Sequence, residues 1–374
     1  MLILRETTLP VDMPGERWYI GNVTGKVLSG GGKMERTTIR DVARTAGVSI
    51  NTVSRALNGK PDVNPETKRL ILEAAERLQY TPNKLARGLR SKKTGVIGVI
   101  VADIANPFFS AMVKGMGKAV KELGYSIILQ DTSENYENEE EAILIMQSEQ
   151  VDGVLITPVQ TDKRSILKLQ ESGIPFVLVA RHFSDVDTDY VVADDVQGGY
   201  LATTHLIENG YTKIAFINGP SYNSSAIERL EGYKKALEEH NIELNEKLIR
   251  SGALTMEDGY SHGKALLIDH DPQPTAFFTF SDFVALGAMK AIREAGLRIP
   301  EDIAIVGYDD IPFSSCLKVS LTTVKVLKRE MGKKAISVLE KKIDEQEGQS
   351  HLKMPVDLVI RQSSLSTRNL GTRG

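Results

Sequence analysis

The chain has 374 residues, of which 41% are hydrophobic, a formal net charge of -3 and one cysteine, Cys316. This leaves room for two or three domains of ordinary globular composition. A single cysteine excludes an internal disulfide and suits a reducing cytoplasm. No apolar run approaches the ~18 residues of a membrane span, and the LIL at the start lacks the longer apolar core of a secretion signal.

Residues 1–33 show little periodicity and read as a disordered leader. They end in Ser29-Gly30-Gly31-Gly32-Lys33, just before Met34. A purine-rich ribosome-binding site translated in frame encodes Gly-Gly shortly before Met, so Met34 is the expected natural start. Charge then separates along the chain. Residues 35–93 hold 13 Lys/Arg against 6 Asp/Glu, whereas residues 94–374 hold 29 against 40. A basic module on an acidic body places a polyanionic partner at the N-terminal end.

Residues 36–82 read as a helix-turn-helix domain. Thr38 and Asp41 have capping-box spacing, and Ile39, Val42, Ala43 and Ala46 follow at helical period. Gly47 can end that helix in the left-handed conformation and Ser49 can cap the next. The second helix turns Val53 and Leu57 inward and leaves Ile50, Asn51 and Arg55 outward, the arrangement that enters a DNA major groove. The DNA-facing set expected here is Thr38, Ser49, Ile50, Asn51, Thr52, Ser54, Arg55 and Asn58. A third helix opens at Asn64-Pro65-Glu66 and carries an apolar stripe of Leu70, Ile71, Ala74, Ala75 and Leu78, read as core.

Pro82 breaks that helix, and residues 83–93 form a short basic hinge, helix-compatible but too short to be stable alone. Its candidates for DNA contact are Asn83, Ala86, Arg87 and Leu89. Basic side chains suit phosphates, and Leu89 suits an apolar wedge at a minor-groove base step. A plain basic linker is the alternative reading.

From Thr94 onward, apolar runs alternate with amphipathic stretches. Strands are expected at Val96–Ala102, Ser126–Leu129, Gly153–Thr157, Phe176–Val179, Tyr190–Ala193, Ile214–Asn218, Thr275–Phe280 and Ile303–Gly307. Helices fit between them at about 107–123, 137–149, 163–171, 196–208, 225–240, 256–269 and 283–295. This alternation predicts parallel sheets covered on both faces, too many strands for one small sheet, and hence two doubly wound subdomains. Ligands of such sheets sit beyond the carboxyl ends of the strands, which singles out Asp103, Asp131, Pro158, Arg181, Asp194, Ser221, Ser281-Asp282 and Asp309-Asp310. With Phe108 and Phe109 nearby, carboxylates and arginines across a cleft suit a polyhydroxylated ligand. Asp103 and Asp194 could equally be helix caps.

DVARTAGVSINTVSRALNG, NPETKRLILEAAERLQYTPNKLARGLRSKKT and IGVIVADIANPFF, followed by VDGVLI, GYTKIAFINGP, PTAFFTFSD and VALGAMKAIREAGLRIPEDIAIVGYDD, resemble the lactose-repressor (LacI/GalR) family of bacterial transcription regulators. The likeness runs from Thr37 to about Ser366. It implies an all-α helix-turn-helix headpiece plus an α/β core of two doubly wound parallel-sheet subdomains, similar to periplasmic binding proteins. It implies a homodimeric, cytoplasmic repressor on a pseudo-palindromic double-stranded DNA operator, switched by a small-molecule effector, with no cofactor or metal; a sugar or sugar derivative is the favoured effector, and a nucleobase-like or phosphorylated one the runner-up. Positions matching Ile50, Asn51 and Arg55 would meet base edges, and Leu89 would intercalate. Arginine suits guanine and asparagine suits adenine, in keeping with this. Effector contacts are expected at Asp103, Phe108, Phe109, Arg181, Asn223, Arg229, Asp282 and Asp309. The core (94–374) would divide into an N-subdomain, about 94–193 plus 323–355, and a C-subdomain, about 194–322 plus 356–370, with crossings near 193–195, 321–326 and 354–357.

Two departures from the family stand out. Ala180-Arg181 replaces a common Asp-Arg, and Val326-Leu327 replaces a common Gln-Pro. The short polar tail NLGTRG lacks leucine heptads, so a dimer is expected rather than a tetramer. Enzyme signatures are absent: no P-loop, no G-x-S-x-G elbow and no H-E-x-x-H. Gly115-Met116-Gly117-Lys118 sits inside an expected helix and lacks the third glycine of a dinucleotide fingerprint. His182 and His205 read as surface or cleft-rim residues, and Asp309-Asp310, adjacent in a strand, should face opposite ways. A sugar-binding module without operator specificity and a Rossmann-like enzyme remain the competing readings.

Overall fold

The structure, a computed structural model, describes residues 37–365 except 58, 59, 61, 81–92, 269–272, 347 and 349. Two compact units divide between Asn83 and Lys84. The proposed leader, Asn58 and most of the hinge, including Asn83, Ala86, Arg87 and Leu89, lie outside the described residues.

In the first unit, helix α1 (Ile39–Ala46) starts where the Thr38 N–H and hydroxyl donate to Asp41 Oδ2 at 3.0 and 2.7 Å. These bonds hold the Asp41 carboxyl below its ordinary pKa. Gly47 ends α1 at φ 66°, where a side chain would be strained. Helix α2 (Ile50–Leu57) is capped by Ser49, whose Oγ accepts from Thr52 N at 3.1 Å. Helix α3 (Pro65–Arg77) is capped by Asn64, which accepts from Glu66 N at 2.9 Å. Val42, Ala43, Val53, Ala56, Ile71, Ala74 and Ala75 form the shared core, with Leu57 and Leu78 packed at its edge. Leu70 departs from the expected stripe: it is 43% exposed, one position off the buried face set by Ile71 and Ala74.

The second unit contains two six-stranded sheets. The first runs β2 (Ser126–Asp131), β1 (Val96–Val101), β3 (Gly153–Ile156), β4 (Phe176–Val179), β5 (Tyr190–Ala193) and β11 (His351–Met354), all parallel. The second runs β7 (Ile249–Arg250), β6 (Ile214–Ile217), β8 (Ala276–Thr279), β9 (Ala304–Asp309), β10 (Thr322–Lys325) and β12 (Asp357–Val359). Only β12 is antiparallel within it. β1, β3 and β4 are buried almost throughout, as strands covered on both faces must be.

Seven helices connect the strands as the sequence suggests: α4 (Pro107–Glu122), α5 (Tyr136–Ser148), α6 (Arg164–Glu171), α7 (Asp195–Glu208), α8 (Ser224–Glu239), α9 (Met256–Ile268) and α10 (Asp282–Glu294). An eighth, α11 (Lys328–Ile343), went unread, as did β7, β10, β11 and β12. α11 turns Met331, Ala335, Ile336 and Leu339 onto the first sheet. It also meets α4 backbone to side chain-free backbone. A Cβ added at Gly115 would lie 2.1 Å from the Arg329 carbonyl oxygen, and one at Gly332 would lie 2.3 Å from that of Met112. Gly115 of the Gly-Met-Gly-Lys run is thus a helix-packing residue, whereas a Cβ at Gly117 would meet nothing.

The chain passes between sheets after β5, after β10 and after β11. Residues 323–325, assigned from sequence to the N-subdomain, pair with β9 in the second sheet, so that crossing falls after Lys325.

Candidate functional site

The outward face of α2 presents Ile50, 40% exposed, with Asn51 and Arg55 also exposed and Thr52 and Ser54 half-buried. Thr38 and Ser49 are exposed, and their hydroxyls are engaged with Asp41 and Thr52. Arg55 is held in an ion pair by Asp62, a partner that sequence reading did not find. A base edge would have to compete with that carboxylate.

The second site is a cavity of about 340 Å³ at the carboxyl ends of both sheets. From the first sheet's side come Asp103, Asn106, Phe108 and Phe109 around the start of α4, Ser133 and Glu134 after β2, and Ala180 and Arg181 after β4. From the other come Ser225 and Arg229 of α8, Leu254, Thr255 and Asp258, Phe280 and Ser281 after β8, and Asp309 ending β9. Asn106 caps α4, accepting from Phe108 N, and so fixes where the two phenylalanines emerge. Their rings stand edge to face, 88° apart with centroids 5.1 Å apart.

Both arginines on the wall are locked. Glu134 takes Arg181 in a two-pronged ion pair at 2.8 and 2.6 Å, and the Pro158 carbonyl accepts from the same guanidinium at 3.1 Å. Arg229 donates through Nε to Asp195 at 2.9 Å and through Nη1 to the Phe280 carbonyl. Its guanidinium lies 3.6 Å from the Tyr308 ring centroid. Asp309, at φ 110°, is buried beside this group. Burial pushes its carboxyl up to about 8 against the pull of Arg229, so near neutral pH it is largely protonated and can donate.

Six of the eight residues expected to meet an effector line this cavity: Asp103, Phe108, Phe109, Arg181, Arg229 and Asp309. Asn223 and Asp282 do not. Asn223 caps α8, accepting from Ser225 N at 3.0 Å. Asp282 is fully buried behind the wall and accepts from Ile311 N, Ser314 Oγ and Thr323 Oγ1. Burial raises its pKa to about 6 against those bonds. Asp194 caps α7, accepting from Gln197 N, and its neighbour Asp195 is the arginine partner instead. Asp103 caps no helix, since Asn106 takes that place; it accepts from Ala105 N in the preceding turn and faces the cavity. Asp309 and Asp310 part as expected: Asp310 pairs with Arg361 at 2.6 Å, away from the cavity.

Sequence reasoning missed Glu134, Thr255, Asp258 and Phe280 on the wall. His205 corrects another expectation. It is buried with Nε2 2.7 Å from Ser364 Oγ, and burial lowers its pKa.

The two lobes are tied beside the cavity. Gln160 accepts from Ser224 N at 2.9 Å and donates to the His182 carbonyl at 2.7 Å. Ser225 Oγ donates to the Ala180 carbonyl at 3.1 Å, and Glu228 meets both His182 and Lys353.

A helix-turn-helix head joined to a core of the two-lobed periplasmic-binding-protein type defines a DNA-binding regulator. Residues 38–83 match the model of bacterial regulatory proteins of the lacI family, and residues 94–362 match that of periplasmic binding proteins and the sugar binding domain of the LacI family. The HTH-type transcriptional repressor PurR of Histophilus somni (strain 129Pt) is 36% identical over 329 residues, 87% of this chain and 98% of that protein. PurR of Vibrio vulnificus (strain CMCP6) is 35% identical over equal coverage. A Lac repressor dimer bound to operator and the anti-inducer ONPF aligns with TM-score 0.79 at 29% identity, covering 88% of this chain and all of that one. A CelR–cellobiose complex aligns with TM-score 0.68 at 32% identity over equal coverage. The chain belongs to the LacI family and is a DNA-binding repressor, not an enzyme.

Proposed function

We propose that the chain acts in the cytoplasm as a homodimer on a pseudo-palindromic operator, and that a small carbohydrate in the cleft changes its grip on DNA. The observation that carries the ligand reading is the cavity wall. Aromatic faces for the C–H side of a ring stand beside Asp103 and Asp258 as acceptors and a largely protonated Asp309 as donor. Two solved relatives, the CelR–cellobiose complex and a LacI-family regulator from Enterococcus faecium with bound ribose, carry sugars. Phe108, Phe109 and Phe280 would also suit a planar nucleobase, the second reading.

On the DNA side, Ile50, Asn51 and Arg55 would read base edges, with Thr38, Ser49, Thr52, Ser54 and Asn58 around them, while Asn83, Ala86, Arg87 and Leu89 would engage the operator centre. The test is selection of duplexes from a random pool by the purified protein, followed by anisotropy titrations with sugars and nucleobases. A symmetric duplex should be enriched and a sugar should shift its affinity. No preference for any symmetric duplex overturns the operator reading, and a response to nucleobases alone overturns the carbohydrate one. Arg55→Ala should relax preference at one base pair per half-site; an unchanged base profile removes Arg55 from direct readout.

A further inference from the structure

Every guanidinium on the cavity wall already has its anion, and the carboxylates are in excess. Arg181, which lies 5% exposed, is gripped by both oxygens of Glu134, and Arg229 by Asp195 and a backbone carbonyl. Asp103, Asp258 and Asp309 then line the same space with no further arginine or lysine among the lining residues. Glu134 sits where an incoming phosphate or carboxylate would otherwise dock on the Arg181 fork. Its place is set by backbone: Ser133 and Glu134 both take positive φ, at 49° and 56°, and the Glu134 N–H donates to the Ala102 carbonyl at 2.9 Å. Two successive left-handed residues without a glycine turn the chain so that this carboxylate reaches across from β2 to β4.

We infer that Glu134 is a specificity-determining residue, a built-in anion that occupies Arg181 and restricts the cleft to uncharged or amine-bearing ligands, excluding phosphorylated and acidic ones. The inference rests on the cleft being the effector site. An anionic ligand would have to displace a bidentate, half-buried carboxylate to find a cation, and would meet Asp103 and Asp258 in the same cavity. Specificity of this kind comes from a repulsive element as much as from an attractive one. Removing the Glu134 charge leaves Arg181 with its planar fork aimed into the cavity, the group best suited to phosphate or carboxylate.

The experiment is calorimetric titration of the full-length protein and of Glu134→Gln with matched pairs: ribose and ribose 5-phosphate, glucose and glucose 6-phosphate, glucose and glucosamine. The wild type should bind within the neutral or amine-bearing members only, and Glu134→Gln should gain at least about tenfold in affinity for a phosphorylated member, since one charge-assisted pair readily supplies that factor. The double variant Glu134→Gln/Arg181→Gln should lose the gain, which separates an exposed Arg181 from a general change of charge. If Glu134→Gln does not fold, Glu134→Ala is titrated in its place. Wild-type binding of a phosphorylated sugar as tight as its neutral partner overturns the inference and leaves the cleft reading intact. A gain that survives in the double variant overturns it too. If none of these probes, nor the wider panel of sugars and nucleobases, binds any of the proteins, the cleft reading falls and the inference falls with it.

Discussion

Asp309 shows how burial and chemistry meet in one side chain. Its folded pKa of about 8 stands above the 3.8 of an exposed carboxyl, so folding favours its protonated form. Its stabilising contribution is complete below about pH 4 and is lost as pH rises through 8; Asp282, raised to about 6, adds in the same direction. Urea-denaturation midpoints should therefore fall between pH 4 and 8, and Asp309→Asn should flatten the upper part of that slope. An unchanged slope in the variant would place the titration elsewhere. Asp195 is the charged partner of a buried guanidinium. Asp195→Ala should cost about 3–5 kcal/mol in chemical denaturation, because it strands Arg229 without a counter-charge. The rule that ligands gather at strand ends was enough to single out Asp103, Arg181 and Asp309 from sequence, because it depends only on topology. It could not tell which way a side chain turns, so Asp282 and Asp194 looked equivalent to them. Glu134 escaped because its reach depends on two positive φ angles that residue type does not advertise.

At the level of elements, close approach of helices decides as much as apolar burial. α4 and α11 touch where Gly115 faces the Arg329 carbonyl and Gly332 faces that of Met112. Gly115→Ala should push the pair apart and destabilise the protein by about 1–3 kcal/mol or more, since the obstacle is backbone and cannot rotate away. A melting temperature equal to the wild type would show that the helices separate without strain. Long buried strands were legible because Val, Ile and Phe runs leave no other outcome. β10 was not: Thr322 and Thr323 look polar, and bonds to Arg361, Ser364 and Asp282 make their burial tolerable. β11 is an exposed edge strand, His-Leu-Lys-Met, with no alternation to read. α11 hides its buried face among lysines, and its signal is the spacing of Met331, Ala335 and Leu339 alone.

On the scale of the molecule, the lobes are held together beside the cavity by few bonds, several of them through Gln160, Ser224 and Ser225. Gln160→Ala should widen the average angle between lobes, seen as a larger radius of gyration of the unliganded protein in X-ray scattering. An identical scattering profile would assign the arrangement of the lobes to other contacts. The headpiece and the two-lobed core were both apparent from motif order, whereas the exact residue at which the chain changes sheet was not, because β10 joins the second sheet through parallel pairing with β9 that leaves no local mark.

The triple crossing also dictates an order of events during synthesis. The first sheet's five early strands emerge within about half the chain, yet α11, which covers them, and β11, which closes their edge, are among the last segments translated. A nascent polypeptide stalled before Lys328 therefore carries a bare apolar flank on its first lobe for the whole time the second is being made, and depends on chaperones or speed to keep it from sticking.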